Sequence, residues 1–343
     1  MKPFDWLTDR PEGTVRKNES VRLMLKPYTF IPYLKETIWG GTRLGPFKGV
    51  ATSAANIGES WEISAVPGHE SVVAEGLDKG RTLPDLIREY GPRLVGQNVF
   101  ETFGTAFPLL IKFIDAAQDL SIQVHPDDEL AKARHNCRGK TEMWYVIDSA
   151  KDAKVYSGLH RKLTPAEFED LTNGQHTGNP FADVLVCHPS HSGDVFFLPA
   201  GRLHAIGAGN LLAEIQETSD ITYRVYDFDR IGADGKKREL HTALAKDAID
   251  YCVLPDADYR TTYDTSAAKV PLISCPYFKV ERLQIKGAEM IDLHTESFVV
   301  VMCLEGEGEI NGVKICRGQT LLIPAEANIL SCTGTAALLT ATI

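Results

Sequence analysis

No stretch of the chain approaches the run of about 18 apolar residues that a membrane-spanning helix needs. The first residues, MKPFDWLTDRPEGTVRKNES, lack the apolar centre of a secretory signal. A basic excess is missing too: 36 Lys and Arg face 46 Asp and Glu, a formal net charge of −10. This speaks against nucleic-acid binding, which rests on a cationic footprint. It does not exclude a small anion, because a few local cations override a distant field. Cysteine is sparse and odd in number: seven residues, scattered, with no C-x-x-C pair. Reduced thiols fit that pattern better than a disulfide framework. The expectation is a soluble, cytoplasmic protein with neither membrane nor nucleic acid as a partner.

Sustained helical periodicity is scarce as well. Residues 1–24 read as a solvated arm, and Pro27 and Pro32 restrict the next segment to short or edge strands. Residues 80–99 read as a short helix, a glycine stop and another helical turn. Thr164, Pro165 and Glu167 form a helix start, with Gly174 as its stop. HTALAKDAIDYCV (241–253) carries the one later helical pattern and is expected to link two halves. Elsewhere short apolar runs alternate with glycine turns, and beyond residue 270 turns are expected at EGEGE and NGV. The fold class is mainly β, with a few short helices.

An internal repeat sharpens the architecture. GDVFFLPAGRLHAI (193–206) and GQTLLIPAEANILS (318–331) share a glycine, an apolar strand and Pro-Ala in one register. Ile329 stands where the first copy has His204, and Glu326 where it has Gly201. The expected fold is a double jelly roll. Residues 25–240 form a metal-binding unit with small helical insertions, 241–266 a helical linker, and 267–343 a second unit without metal ligands.

Three motifs carry the chemistry. In SIQVHPDD, strand alternation puts Gln123 and His125 on one face, about 7 Å apart. GKTEMWYV does the same for Lys140 and Glu142, and GDVFFLPAGRLH delivers His204 after a Pro-Ala-Gly turn. Two imidazoles, a carboxylate and an amide oxygen make a divalent-metal shell that suits catalytic zinc, and also manganese, iron or cobalt. Each residue alone has a plainer reading, since an isolated histidine is more often a core or surface group. The combination carries the inference. His188 and His191, placed in a turn before Gly193, read as solvated, with a site-adjacent position as the alternative, and His135 is ambiguous.

The third motif matches the second cupin motif at Gly193, Pro199, Gly201 and His204. The first cupin motif is modified: Gln123-Val-His125 replaces His-x-His, and the glutamate follows 17 residues later. In this, and in IGESWEIS, PLLIKFIDAAQDLSIQVHPD, GKTE and EIQETSDITYRVYDFDR, the chain resembles the type I phosphomannose isomerases over roughly residues 25–343. Its modest length resembles the short bacterial branch. The resemblance implies a cupin-like double jelly roll with one divalent metal, zinc first, on Gln123, His125, Glu142 and His204. It implies interconversion of mannose 6-phosphate and fructose 6-phosphate through a cis-enediol or enediolate.

It also implies roles for the surrounding residues. Arg224 would stabilise the enediolate, Lys140 would line the pocket, and Glu214 and Glu59 would be active-site acids. Lys112 and Ser121 resemble phosphate or substrate contacts, and Trp61 is either pocket wall or core. The base stays open among a metal-bound water, Lys140, Glu214 and a histidine near the mouth. The partner is then a small sugar phosphate, and the protein a monomer or small homo-oligomer. The cupin fold also hosts non-catalytic sensors that bind sugar phosphates, and oxygen-using enzymes. Lysine and arginine around the site suit a phosphorylated sugar better than the latter.

Overall fold

The computed structural model describes residues 24–174, 176, 178–232, 235–293 and 296–343, so the expected arm lies outside the described residues but for Met24. Short apolar runs between glycine turns become three antiparallel sheets of nine, seven and five strands among those residues. Pro32 separates Tyr28–Ile31 from Tyr33–Gly41, as a residue without an amide donor should.

The seven-stranded sheet orders Thr261–Thr262, Asp194–Leu198, Glu142–Ser149, Asn210–Glu217, Leu109–Ala116, Tyr33–Gly41 and Ile57–Ile63. The five-stranded sheet orders Tyr223–Tyr226, Ile122–Val124, His204–Ile206, Lys154–Leu159 and Leu185–Pro189. Alternation along the first sheet gives it two different faces. Ile114, Trp144, Val146 and Leu212 point inward and meet Val155 and Ile206 of the five-stranded sheet. Their neighbours Phe113, Met143, Tyr145, Ala213 and Ile215 point outward.

That outward face would be an exposed apolar surface if the chain ended there. The nine-stranded sheet covers it: Val300, Met302, Leu322 and Leu339 belong to the same core. Tyr28–Ile31 joins this second unit by pairing with Thr320–Ile323. The structure is the expected double jelly roll, with a largely apolar barrel in its C-terminal half.

Local signals mostly hold. Thr82 and Asp85 form a capping box on Leu83–Tyr90, and the short helices Pro92–Val95 and Gln97–Phe103 follow. Thr164 Oγ1 accepts from the Glu167 amide at 3.2 Å to start Pro165–Asn173. The later helix is limited to Thr242–Ala248. EGEGE is not a turn: it lies within the strand Val299–Ile310. Its glycines serve close approach, because a Cβ at Gly306 or Gly308 would sit 2.0 or 2.2 Å from the carbonyl oxygen of Thr335 or Thr333. The following turn does fall at NGV, where Asn311 and Gly312 have φ of 47° and 80°.

One buried charge ties the halves together. Lys48 Nζ donates to Glu62 Oε1 at 2.7 Å and to the Gly318 carbonyl at 2.6 Å. Ser60 Oγ donates to the same carboxylate oxygen at 2.6 Å. Lys48→Met would leave Glu62 buried without its cation, a loss on the order of 3 kcal/mol. The expected result is a lowered urea midpoint; an unchanged midpoint would show that the tie contributes nothing.

Candidate metal centre and active site

Two facing sheets bring three distant motifs to one point. His204 opens its strand directly opposite Gln123, and Arg224 pairs with Gln123 from the other side. Paired residues in a sheet share a face, so His204, Gln123 and Arg224 form one row. Glu142 opens the strand opposite Leu198 on the other sheet. The ligand atoms of His125, Glu142 and His204 all lie within 4.8 Å of one another, and all three side chains are buried.

Backbone acceptors fix how the imidazoles are presented. His125 Nδ1 lies 2.8 Å from the Ile221 carbonyl, and His204 Nδ1 lies 2.8 Å from the Arg202 carbonyl. A carbonyl only accepts, so each Nδ1 carries the proton and each Nε2 keeps its lone pair. Both Nε2 atoms face Glu142, His125 at 3.5 Å and His204 at 3.4 Å. Burial and the neighbouring Lys140 cation push His204 down to about 3 and His125 well below the ordinary histidine value. Neutral imidazoles are the form that ligates. Burial raises Glu142 to about 7 against the pull of Lys140, and its Oε1 is buried without a hydrogen-bond partner. An orphaned carboxylate oxygen facing the His204 lone pair, with the His125 lone pair at the carboxylate's other oxygen, fits a divalent metal site.

Gln123 completes the ring, its amide nitrogen 3.3 Å from His204 Nε2 and its oxygen 3.3 Å from Ser121 Oγ. Lys140 Nζ sits 3.2 Å from His125 Nε2 and is bonded to Glu142. The facing wall is a row set by register, Trp61, Lys112, Glu214 and Trp144 on four adjacent strands. Lys112 Nζ lies 2.9 Å from Glu214 and 3.5 Å from Glu59. Trp144 Nε1 donates to Glu214 at 2.9 Å, and Trp61 Nε1 to Glu59 at 2.7 Å. Against the cost of burial, Lys112 and Lys140 hold Glu214 down to about 2, and Lys112 chiefly lowers Glu59. In return the two carboxylates raise Lys112 despite its burial.

These groups line a cavity of about 470 Å³. All of Glu59, Trp61, Lys112, Ser121, Gln123, Lys140, Glu214 and Arg224 reach its wall. Sequence reasoning missed Lys35, Asp220 and Arg238, which reach it too. Lys35 had a findable signal, since it alternates with Tyr33 beside the IGESWEIS strand; Arg238 sits in an irregular loop and had none. His188 needs correction: it is buried in Leu185–Pro189, packed 5.7 Å from the Phe196 ring, because its strand begins before the expected turn. His191 is exposed as expected, and His135 bonds the Tyr223 hydroxyl at 2.7 Å, outside the cavity.

Comparison with known proteins agrees with this geometry. A family model described as phosphomannose isomerase type I, catalytic domain, matches residues 28–164. Mannose-6-phosphate isomerase ManA of Bacillus subtilis is 39% identical over 308 residues, covering 87% of this chain and 93% of that protein. Mannose-6-phosphate isomerase of Streptococcus mutans is 34% identical over 309 residues, covering 88% and 93%. The crystal structure of mannose 6-phosphate isomerase from Bacillus subtilis superposes with a TM-score of 0.82 at 32% identity, over 93% of this chain and 100% of that one. The chain belongs to the type I phosphomannose isomerases.

Proposed function

We propose that the protein is a metal-dependent isomerase that interconverts mannose 6-phosphate and fructose 6-phosphate by moving a proton between C1 and C2. The observation that carries this reading is the buried His125–Glu142–His204 group, whose neighbours Gln123 and Lys140 line a cavity shared with paired acids and bases. His125, Glu142 and His204 would hold the metal, with Gln123 as a fourth ligand once its amide turns to offer oxygen. Two imidazole nitrogens, two oxygens and no thiolate favour zinc. A divalent ion bound there would polarise the substrate carbonyl or serve as a template for the vicinal oxygens.

The chain's own residues supply the rest. Lys140 and the Lys112–Glu214–Glu59 group are the candidate proton carriers, because they unite buried bases and acids within hydrogen-bond reach. Arg224 shares a face with Gln123 and His204, so its cation stands where negative charge grows on the enediolate oxygens. Ser121, two residues along from Gln123, offers a hydroxyl to the substrate's far end. Trp61 forms the wall between Lys35 and Lys112, each about 5 Å from its ring centroid, at 5.1 and 5.2 Å. A non-catalytic sensor would have no use for so many buried, mutually tuned acids and bases. Seven free cysteines fit a cytoplasmic setting.

Dialysis against a chelator is expected to abolish interconversion of the two sugar phosphates, and a divalent metal to restore it. His204→Ala should fold by circular dichroism yet retain neither stoichiometric metal nor turnover. Metal at one equivalent in that variant would refute the ligand assignment. Arg224→Ala should lower kcat by about 10²-fold while KM changes little, as for a group acting mainly on the transition state. Near-normal kcat would remove Arg224 from the mechanism.

A further inference from the structure

A phosphate needs an anchor, and of the two residues that the family resemblance offers as phosphate or substrate contacts, Lys112 and Ser121, Lys112 is already committed. It stands between Glu214 and Glu59, and Glu59 also takes Lys35 at 3.3 Å. Two lysines and two glutamates balance on that wall. Lys140 is matched in the same way by Glu142. A dianionic group placed there would face two carboxylates at close range.

The wall beyond Tyr223–Tyr226 is different. Arg224, Arg230 and Arg238 gather around one buried carboxylate, Asp227. Arg238 donates from Nε to Asp227 Oδ2 at 2.7 Å and from Nη2 to Oδ1, while Arg230 reaches Oδ1 at 2.5 Å. Arg224 has no ion-pair partner among the described residues. Its Nη1 donates to the Glu239 carbonyl at 2.8 Å, and its Nε is buried without a partner. Burial lowers the Arg224 pKa first, and repulsion from Arg238 and Arg230 adds to that. Such crowding is relieved by an anion, and Arg224 and Arg238 are the two that line the cavity.

Register places this cluster relative to the chemistry. Gln123 pairs with His204 and Arg224, whereas Ile122 pairs with Tyr226. Asp227, with Arg230 and Arg238 bonded to it, therefore lies toward the Ser121 end of the strand. Ser121 is about 7 Å beyond Gln123 along that strand. The cavity's Asp220 lies at the opposite end, next to Ile221, whose carbonyl holds His125. A sugar with its reacting carbons at the metal ligands would direct its other end at Ser121 and Arg238.

We propose that Arg238, oriented by Asp227, grips the substrate's phosphate beside the Ser121 hydroxyl. Asp227 is a positioning residue: it occupies the Nε and Nη2 edge of Arg238 and leaves Nη1 for the ligand. A guanidinium held in place before binding loses little freedom on binding. The inference rests on the isomerase reading but can fail separately from it.

The test uses the metal-loaded full chain, with inorganic phosphate as competitor and as a calorimetric ligand. Arg238→Met should raise KM for mannose 6-phosphate and Ki for phosphate together, by tenfold or more, with a smaller change in kcat and full metal content. Arg238→Lys, which keeps a cation beside Asp227, should fall between the two and covers the case in which the methionine variant does not fold. Unchanged KM and Ki in both variants would overturn the proposal, and so would a tenfold loss of phosphate affinity in Lys35→Met with Arg238→Met unaffected. If the unmodified protein fails to turn over mannose 6-phosphate, the isomerase reading fails. Calorimetric phosphate binding that is weakened by Arg238→Met would still support this anchor, and binding that is not would sink it.

Discussion

Glu142 is a carboxylate with no exposed surface, placed in the barrel where charge is costly, and the site is built around that cost. Neutral His204 meets its Oε1, while neutral His125 and the Lys140 cation meet its Oε2. The imidazoles cannot compensate it, because their Nδ1 protons are spent on backbone carbonyls and their lone pairs face the carboxylate. Lys140 compensates part of it. The remaining deficit, visible as a raised proton affinity and an unpartnered oxygen, is a demand for a cation. A divalent ion held there would answer that demand and convert a destabilising feature into a stabilising one.

The same rule shapes the opposite wall. Lys112, Glu214 and Glu59 are tolerable inside the barrel only as a mutually paired set, each shifted toward its charged form by its neighbours. Removing one would strand the others, so their mutual geometry is held as firmly as a packed core. The nine-stranded sheet contributes from outside: by covering Phe113, Met143 and Ile215 it keeps the strands that carry Lys112, Glu142 and Glu214 rigid.

Much of this was legible in the sequence because strands have a period of two. SIQVHP states that Gln123 and His125 share a face, and GKTE states it for Lys140 and Glu142; the fold had only to oppose the two sheets. Thr164 with Glu167 announced a helix for an equally local reason, a side chain capping a backbone donor. What stayed hidden depends on cross-chain register. Nothing near Lys112 shows that Glu214 and Glu59 neutralise it, since they lie about 100 and 50 residues away, and that pairing bears directly on its expected phosphate contact. EGEGE read as a turn because glycine usually marks one; here it marks strands too close for a Cβ. His188 read as solvated because its strand could not be seen to start at Leu185.

The internal repeat shows why only one barrel carries chemistry. Both copies keep the glycine of positive φ, Gly193 at 92° and Gly318 at 78°, and the strand that follows it. They diverge after Pro-Ala. In the first, Gly201 lets the chain turn tightly against Asp250 and deliver His204 buried among ligands. In the second, Glu326 at the same place reaches out to Arg93, 2.6 Å away, and Ile329 is exposed. The interior of that barrel is closed by Leu283, Val301, Leu321 and Leu338 instead. A jelly roll of this size fills its middle with side chains either way. With apolar ones it becomes a core that supports its neighbour, and with paired charges it becomes a site that requires a metal and admits an anion.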